Sequence, residues 1–222
     1  MKIYDIYIFD LDGTITDTAP VWLGILQDAL LHFGINPPDD KKLALYSHDW
    51  RQLTHIGFPE SKFDELREFI YSVANDRLPQ AQLHQDAYET LEMLKNKGKR
   101  LAIFSSLDRV MFEQAMQHRN LYPLVEAAIA GNDIEHRKPH PAGLLKALKK
   151  LAVFPQSYNK AVYVGDKDTD IQTARNAGID SILYYPIAHS VIYDLSALKK
   201  HNPTHTITQR GELVLHSPKI QT

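Results

Sequence analysis

The sequence has no cysteine among its 222 residues. Disulfides, thiolate-held zinc and a cysteine nucleophile are thereby excluded. No run of about 18 apolar residues occurs, so no membrane-spanning helix is expected. Charge of one sign is not in excess either, because 25 Lys and Arg stand against 27 Asp and Glu, a net −2. A protein that wraps nucleic acid needs a strong basic field, and none is present. The opening Met1-Lys2-Ile3-Tyr4-Asp5 has neither the apolar core nor the small-residue cleavage site of a secretion signal, so a cytoplasmic location is expected. The 11 His are scattered without an HExxH pattern, and no internal repeat or low-complexity tract is visible.

What is present is ordinary globular material, 44% hydrophobic and 23% charged, in a chain long enough to bury a sizeable core. Five short apolar segments read as buried strands: Ile3–Phe9, Arg100–Phe104, Ala127–Ala130, Ala161–Val164 and Ser181–Tyr184. Helical patterns lie between them. One places Ala87, Leu91 and Leu94 on one face with Gly98 as a stop, and others run Val110–His118, Pro141–Leu151 and Asp168–Asn176, the last closed by Gly178. Strand and helix in alternation imply a parallel sheet of the α/β, Rossmann-like kind. The tail segments Thr204–Thr208 and Leu213–His216 are expected to add edge strands.

One stretch interrupts the alternation. From Thr16 to Leu83 the pattern is helical, with Val21, Trp22, Ile25, Leu26, Ala29, Leu30 and Phe33 on one face and Phe63, Leu66, Phe69, Ile70 and Val73 on another. An all-helical insert after the first strand suggests a second unit set into the α/β core. The expected division is a core of residues 1–15 and 84–222 with a helical cap of residues 16–83, and Thr16, Asp17 and Thr18 at the hinge.

In an open parallel sheet, ligands bind beyond the carboxyl ends of the strands. The first strand ends in Asp10-Leu11-Asp12-Gly13-Thr14 and the second in Ser105-Ser106. Arg137-Lys138-Pro139 precedes a helix, and the fourth strand ends in Gly165-Asp166-Lys167-Asp168-Thr169-Asp170. Several carboxylates on one rim repel one another and call for a divalent cation. All-oxygen donors favour Mg²⁺. Ser105 and Lys138 suit phosphate oxygens. Taken singly, Ser105 and Ser106 fit ordinary helix N-caps, Lys138 fits a solvated charge, and Asp166, Asp168 and Asp170 fit a first helical turn. Taken together and in order, they form a phosphoryl-transfer set.

On these four motifs the chain resembles the haloacid dehalogenase superfamily across nearly its whole length. Lys138-Pro139-His140-Pro141 and the run from Asp170 to Gly178 look most like its phosphoglycolate phosphatase and β-phosphoglucomutase branch, which carries a helical cap after the first motif. The resemblance implies Asp10 as nucleophile through an aspartyl-phosphate, Asp12 as general acid and then base, Ser105 and Ser106 at the phosphate, and Lys138 as its counter-charge. Mg²⁺ would be held by Asp10, the backbone carbonyl of Asp12, and Asp166, with Asp170 a ligand or its support. Two positions depart from the branch: Lys167 stands where Ser is frequent, and Ser106 where Asn is frequent. Asp12 argues against a haloacid dehalogenase and against a phosphonatase.

The expected activity is that of a Mg²⁺-dependent phosphatase acting on a small phosphorylated metabolite, as a monomer or weak homodimer. A phosphosugar mutase and a catalytically weak binding protein are the alternatives. Substrate choice is expected in the insert, around Tyr46-Ser47-His48-Asp49-Trp50-Arg51 and His55. There Trp50 is expected to pack and Arg51 to be solvated, the alternative being that Arg51 meets a second anion.

Overall fold

Short, largely apolar runs form the centre of the molecule because both faces of a parallel sheet are covered. The computed structural model describes residues 2–46, 50–191 and 193–215. Its first strand, β1 (Ile6–Phe9), buries all four side chains. Around it stand β2 (Arg100–Phe104), β3 (Ala127–Ile129), β4 (Ala161–Gly165), β5 (Asp180–Tyr184) and β6 (His205–Ile207), all parallel, in the order β3-β2-β1-β4-β5-β6. Alternation along the strands divides the core in two. Tyr7, Phe9, Leu101, Ile103, Val162 and Val164 pack on one face, and Ile6, Ile8, Ala102, Phe104, Ala161 and Tyr163 on the other. Each Val, Leu, Ile and Phe among them contributes about 1.5–3 kcal/mol of transfer free energy on burial. This is a doubly wound, Rossmann-like α/β sheet.

The sequence order reverses at β1, which lies between β2 and β4, and a crevice opens at such a switch point. Among the described residues between β1 and β2 are the helices α1 (Ala19–His32), α2 (Asp40–Tyr46) and α3 (Phe63–Arg77), with 3₁₀ turns at Trp50–Ile56 and elsewhere, before α4 (Ala87–Asn96) returns to the sheet. The expected faces are the buried ones: Ile25, Leu26, Ala29 and Leu30 of α1 and Leu66, Ile70 and Ala74 of α3. The chain leaves and re-enters the sheet at one place, where Thr16 bridges to Leu83, the Asp17 amide donates to the Gln82 carbonyl at 2.8 Å and the His84 amide to the Ile15 carbonyl at 3.0 Å.

Beyond β2 follow α5 (Arg109–His118), α6 (Ala142–Lys150), α7 (Asp168–Ala177), α8 (Leu195–Lys199) and α9 (Gly211–Leu215). Gly178 ends α7 with φ +74°, as expected of a left-handed cap. The tail divides. Residues 205–207 do form the edge strand β6, but Leu213 belongs to α9 and is buried against α4's side of the core, so the second expected edge strand is a helix. The five residues Gly-Glu-Leu-Val-Leu carry too little period to tell strand from helix. His216 and the insert residues Ser47, His48 and Asp49 lie outside the described residues. No helix among those described is long and apolar enough to cross a membrane.

Candidate active site

β1 stops at Asp10 because the next turn must reverse at Gly13. Gly13 has φ +82°, and a Cβ there would stand 2.3 Å from Asp166 Oδ2. The Asp10 amide still donates to the Val164 carbonyl at 2.8 Å, so its carboxylate leaves the sheet beside the end of β4. From β4 come Asp166 and, one helical turn into α7, Asp170. The Asp170 side chain reaches back to accept from the Lys167 amide at 3.0 Å, where an acidic group also suits the helix dipole. A Cβ on Gly165 would strike Asp170 at 2.4 Å, so glycine at the end of β4 lets that carboxylate approach.

Asp10, Asp166 and Asp170 are buried, and one carboxylate oxygen from each lies within 4.8 Å of the others. The Lys138 ammonium bridges two of them, donating to Asp10 Oδ1 and, at 2.8 Å, to Asp170 Oδ1. It also sits over the Phe104 and Tyr163 rings, at 4.9 and 5.1 Å from their centroids. Lys138 is thus an interior residue, with a side chain 6% exposed, and not the solvated charge it resembles when taken singly. Asp166 Oδ1 accepts from the Thr14 hydroxyl at 3.2 Å, while its buried Oδ2 has no hydrogen-bond donor among the described residues.

Ser105 does not cap α5. Its Oγ donates to Asp12 Oδ2 at 3.4 Å and accepts from the Leu107 amide at 3.1 Å, while the cap is Asp108, which accepts from the Met111 amide. Ser106 is exposed, at the cavity described below. Lys167 lines that cavity with Asp12 and Asp166 and so faces the carboxylates.

Burial pushes the Asp10 carboxyl up to about 8, against the pull of Lys138 and with the help of Asp170, Asp166 and Asp12. Burial raises Asp166 to about 6, opposed first by Lys167. Asp12 is raised by burial as well, opposed by Lys167 and then Lys138. That direction favours the protonated form that a general acid requires. Burial opposes the charge of Lys138, but Asp10 and Asp170 outweigh it and keep the ammonium. Lys138 and Lys167 stand against the carboxyl groups of Asp10, Asp12, Asp166 and Asp170, and burial raises Asp10 and Asp166 in spite of those two cations. This all-oxygen set, with a buried Asp166 oxygen that lacks a donor among the described residues, fits a hard divalent cation.

The motifs did not disclose every residue here. Arg210 is 1% exposed and donates from Nε and Nη2 to the Thr14 carbonyl at 2.9 and 2.7 Å. His84 Nε2 lies 3.1 Å from the Gly13 carbonyl, an acceptor, so this nitrogen carries the proton. Tyr163 donates to the Phe104 carbonyl at 3.1 Å beneath Lys138. Only Tyr163 left a sign in the sequence, a hydroxyl inside an otherwise apolar strand. Arg51 is exposed and lines no part of the cavity, whereas Trp50 both packs on the core and faces the cavity.

A family model for haloacid dehalogenase-like hydrolases matches residues 7–184. Pyrophosphatase PpaX of Bacillus cereus strain Q1 is 30% identical over 189 residues, covering 80% of this chain and 81% of its own. Two solved structures share the fold. One, from Lactobacillus plantarum and provisionally described as a phosphoglycolate phosphatase, has a TM-score of 0.75 at 24% identity, over 97% of this chain and 100% of that one. The other, a hydrolase of Deinococcus radiodurans R1 solved with bound phosphate and sodium, has a TM-score of 0.77 at 21% identity, over 95% and 93%.

Proposed function

The chain belongs to the haloacid dehalogenase-like hydrolase family, and from that premise we propose that it is a Mg²⁺-dependent phosphatase acting on a small phosphorylated metabolite through an aspartyl-phosphate. The observation that carries this reading is the buried set of Asp10, Asp166 and Asp170 with Lys138 at the switch point of the sheet. Asp10, Asp166, Asp170 and the Asp12 carbonyl would hold the ion. When bound, Mg²⁺ supplies charge neutralisation and polarises phosphoryl oxygens.

The chain's own groups do the rest. An Asp10 carboxylate oxygen attacks phosphorus and forms the acyl-phosphate bond as the ester P–O bond breaks. The Asp12 carboxyl gives its proton to the departing alkoxide. Water then attacks the same phosphorus and surrenders a proton to Asp12, and the Asp10–phosphorus bond breaks to release inorganic phosphate. Ser105, tied to Asp12 and to the Leu107 amide, and Lys138 hold the transferring group. Residues 16–83 act as the cap over a core of 1–15 and 84–222. Its hinge is the paired crossing of Thr16-Asp17-Thr18 with Gln82-Leu83, which supports closure about one line.

The test is hydrolysis of acetyl phosphate by the purified chain with Mg²⁺. Turnover is expected, and Asp10→Asn is expected to abolish it, losing about 10³-fold or more since the nucleophile is gone. Turnover without divalent metal, or full activity in Asp10→Asn, would overturn the proposal. Isomerisation of a hexose 1-phosphate faster than phosphate release would replace it with a phosphosugar mutase.

A further inference from the structure

A cavity of about 620 Å³ opens from the carboxylate rim into the helical insert. Its charged lining comes from the strand-end loops, Asp12, Arg137, Asp166 and Lys167, and from Asp108 at the start of α5. Its outer wall differs in kind. The residues that α1, α3 and the Trp50 turn contribute are neutral, and most are apolar, led by Trp22, Trp50, Leu23, Ile70 and Tyr71. Met111 of α5 completes that wall, and Asn75 is the one amide in it. Among the described residues the insert brings no charged side chain to the cavity. Its Arg77 is engaged by Asp28 at 2.6 Å, with both side chains nearly half exposed.

This distribution of charge discriminates between leaving groups. With the transferring phosphoryl at the carboxylate rim, the remainder of the substrate lies against the insert. A second phosphate or a carboxylate there would lose its water without gaining a counter-charge from the insert, because Arg137 and Lys167 belong to the strand-end loops beside the transferring group. An aromatic ring would bury its area against indole and thioether. The Trp50 and Tyr71 rings already meet edge to face, at 6.4 Å and 67°, as aromatic walls do. The volume suits a drug-sized organic group, with a few polar atoms to orient it.

We propose that the substrate is a phosphate monoester of an aromatic alcohol, its ring held between the Trp22 and Trp50 side of the insert and the α5 wall, and that a second anion is disfavoured. The proposal rests on the phosphatase reading above and adds the class of leaving group. It separates this chain's substrate from the doubly anionic one that the name of its PpaX relative implies for that protein.

The chain contains two tryptophans, Trp22 and Trp50, and both line the cavity, so intrinsic fluorescence reports on it directly. The full chain with Mg²⁺ is titrated with three hydrolysis-resistant phosphonates: benzylphosphonate, methylphosphonate and phosphonoacetate. Benzylphosphonate is expected to bind at least about tenfold more tightly than either of the others, as burial of one ring implies. In turnover, benzyl phosphate is compared with ethyl phosphate and phosphoglycolate, all of which release alkoxides. Its kcat/KM is expected to lead by a similar factor, and Trp22→Ala is expected to shrink the benzyl-to-ethyl ratio by about tenfold. If Trp22→Ala does not fold, the wild-type comparisons decide alone. Equal or tighter binding of phosphonoacetate, or faster turnover of phosphoglycolate or inorganic pyrophosphate, overturns the aromatic leaving group and leaves the phosphatase reading standing. Preferred binding of benzylphosphonate with no turnover of any ester, acetyl phosphate included, overturns the phosphatase reading and leaves the ring site standing.

Discussion

Arg210 shows what a single side chain far from the motifs contributes. Its guanidinium spans the Thr14 carbonyl and, through Nη1 at 2.6 Å, Asp86, and it lies 4.0 Å over the Tyr184 ring. Thr14 in turn donates to Asp166, so the arginine holds the loop that presents the metal-side carboxylate. Arg210→Met strands a buried carbonyl and is expected to lower stability by about 2–3 kcal/mol. Arg210→Lys keeps the charge but loses the planar fork and is expected to recover less than half of that loss. Urea midpoints at unchanged slope measure both. A loss in Arg210→Met within about 0.5 kcal/mol, the range of ordinary surface changes, would remove this role. The placement of Asp10, Asp12, Ser105, Asp166 and Asp170 at one rim could be anticipated because each follows a strand or opens a helix that its own neighbours specify, and Lys138 lies in the turn before α6. Arg210 could not, because its partner Thr14 is 196 positions away and no local pattern links them.

At the scale of elements, legibility follows length and period. The four strands nearest the centre are apolar runs, and α7 carries both its acidic first turn and its closing glycine, so their bounds come within a few residues of expectation. The five-residue α9 and the 3₁₀ turn at Ile187–Val191 have neither length nor period, and α9 was expected as a strand. That turn brings in His189, which is 1% exposed and has no partner for either ring nitrogen among the described residues. His84, Tyr184 and Tyr193 face it at ring separations of 5.6, 6.0 and 5.4 Å. Burial lowers His189 from 6.5 to about 3, assisted by His84 and by the charges of Lys167 and Arg210. A folded value below the unfolded one means that, below pH 6.5, the unfolded chain takes up a proton that the folded chain refuses. Stability therefore falls with pH across that window, by up to about 1.4 kcal/mol per unit. Between pH 7 and pH 5 the wild type is expected to lose about 2 kcal/mol more than His189→Phe. Parallel pH profiles of the two proteins in denaturant titrations would contradict it.

The whole molecule gathers negative charge that the unfolded chain keeps apart. Asp10 comes from β1, and Asp166 and Asp170 from the β4–α7 junction. Folding sets their oxygens within 4.8 Å of one another, out of water, with Lys138 as the shared cation. The repulsion belongs to the folded state alone, so a divalent ion that relieves it binds the folded chain and not the unfolded one. At a hundred times its Kd, such an ion adds about 2.7 kcal/mol, which for a chain of this length raises Tm by roughly 5–10 °C. Mg²⁺ is expected to produce that shift, and NaCl of equal ionic strength is not. Asp166→Asn retains the shape and the acceptor for the Thr14 hydroxyl but removes one carboxylate. Without metal it is expected to melt above the wild type, and with Mg²⁺ to show little further rise, stability gained where function is lost. Calorimetry of both proteins with and without Mg²⁺ checks this. A full Mg²⁺ shift in Asp166→Asn, or none in the wild type, would mean that the three carboxylates are not the ion's site.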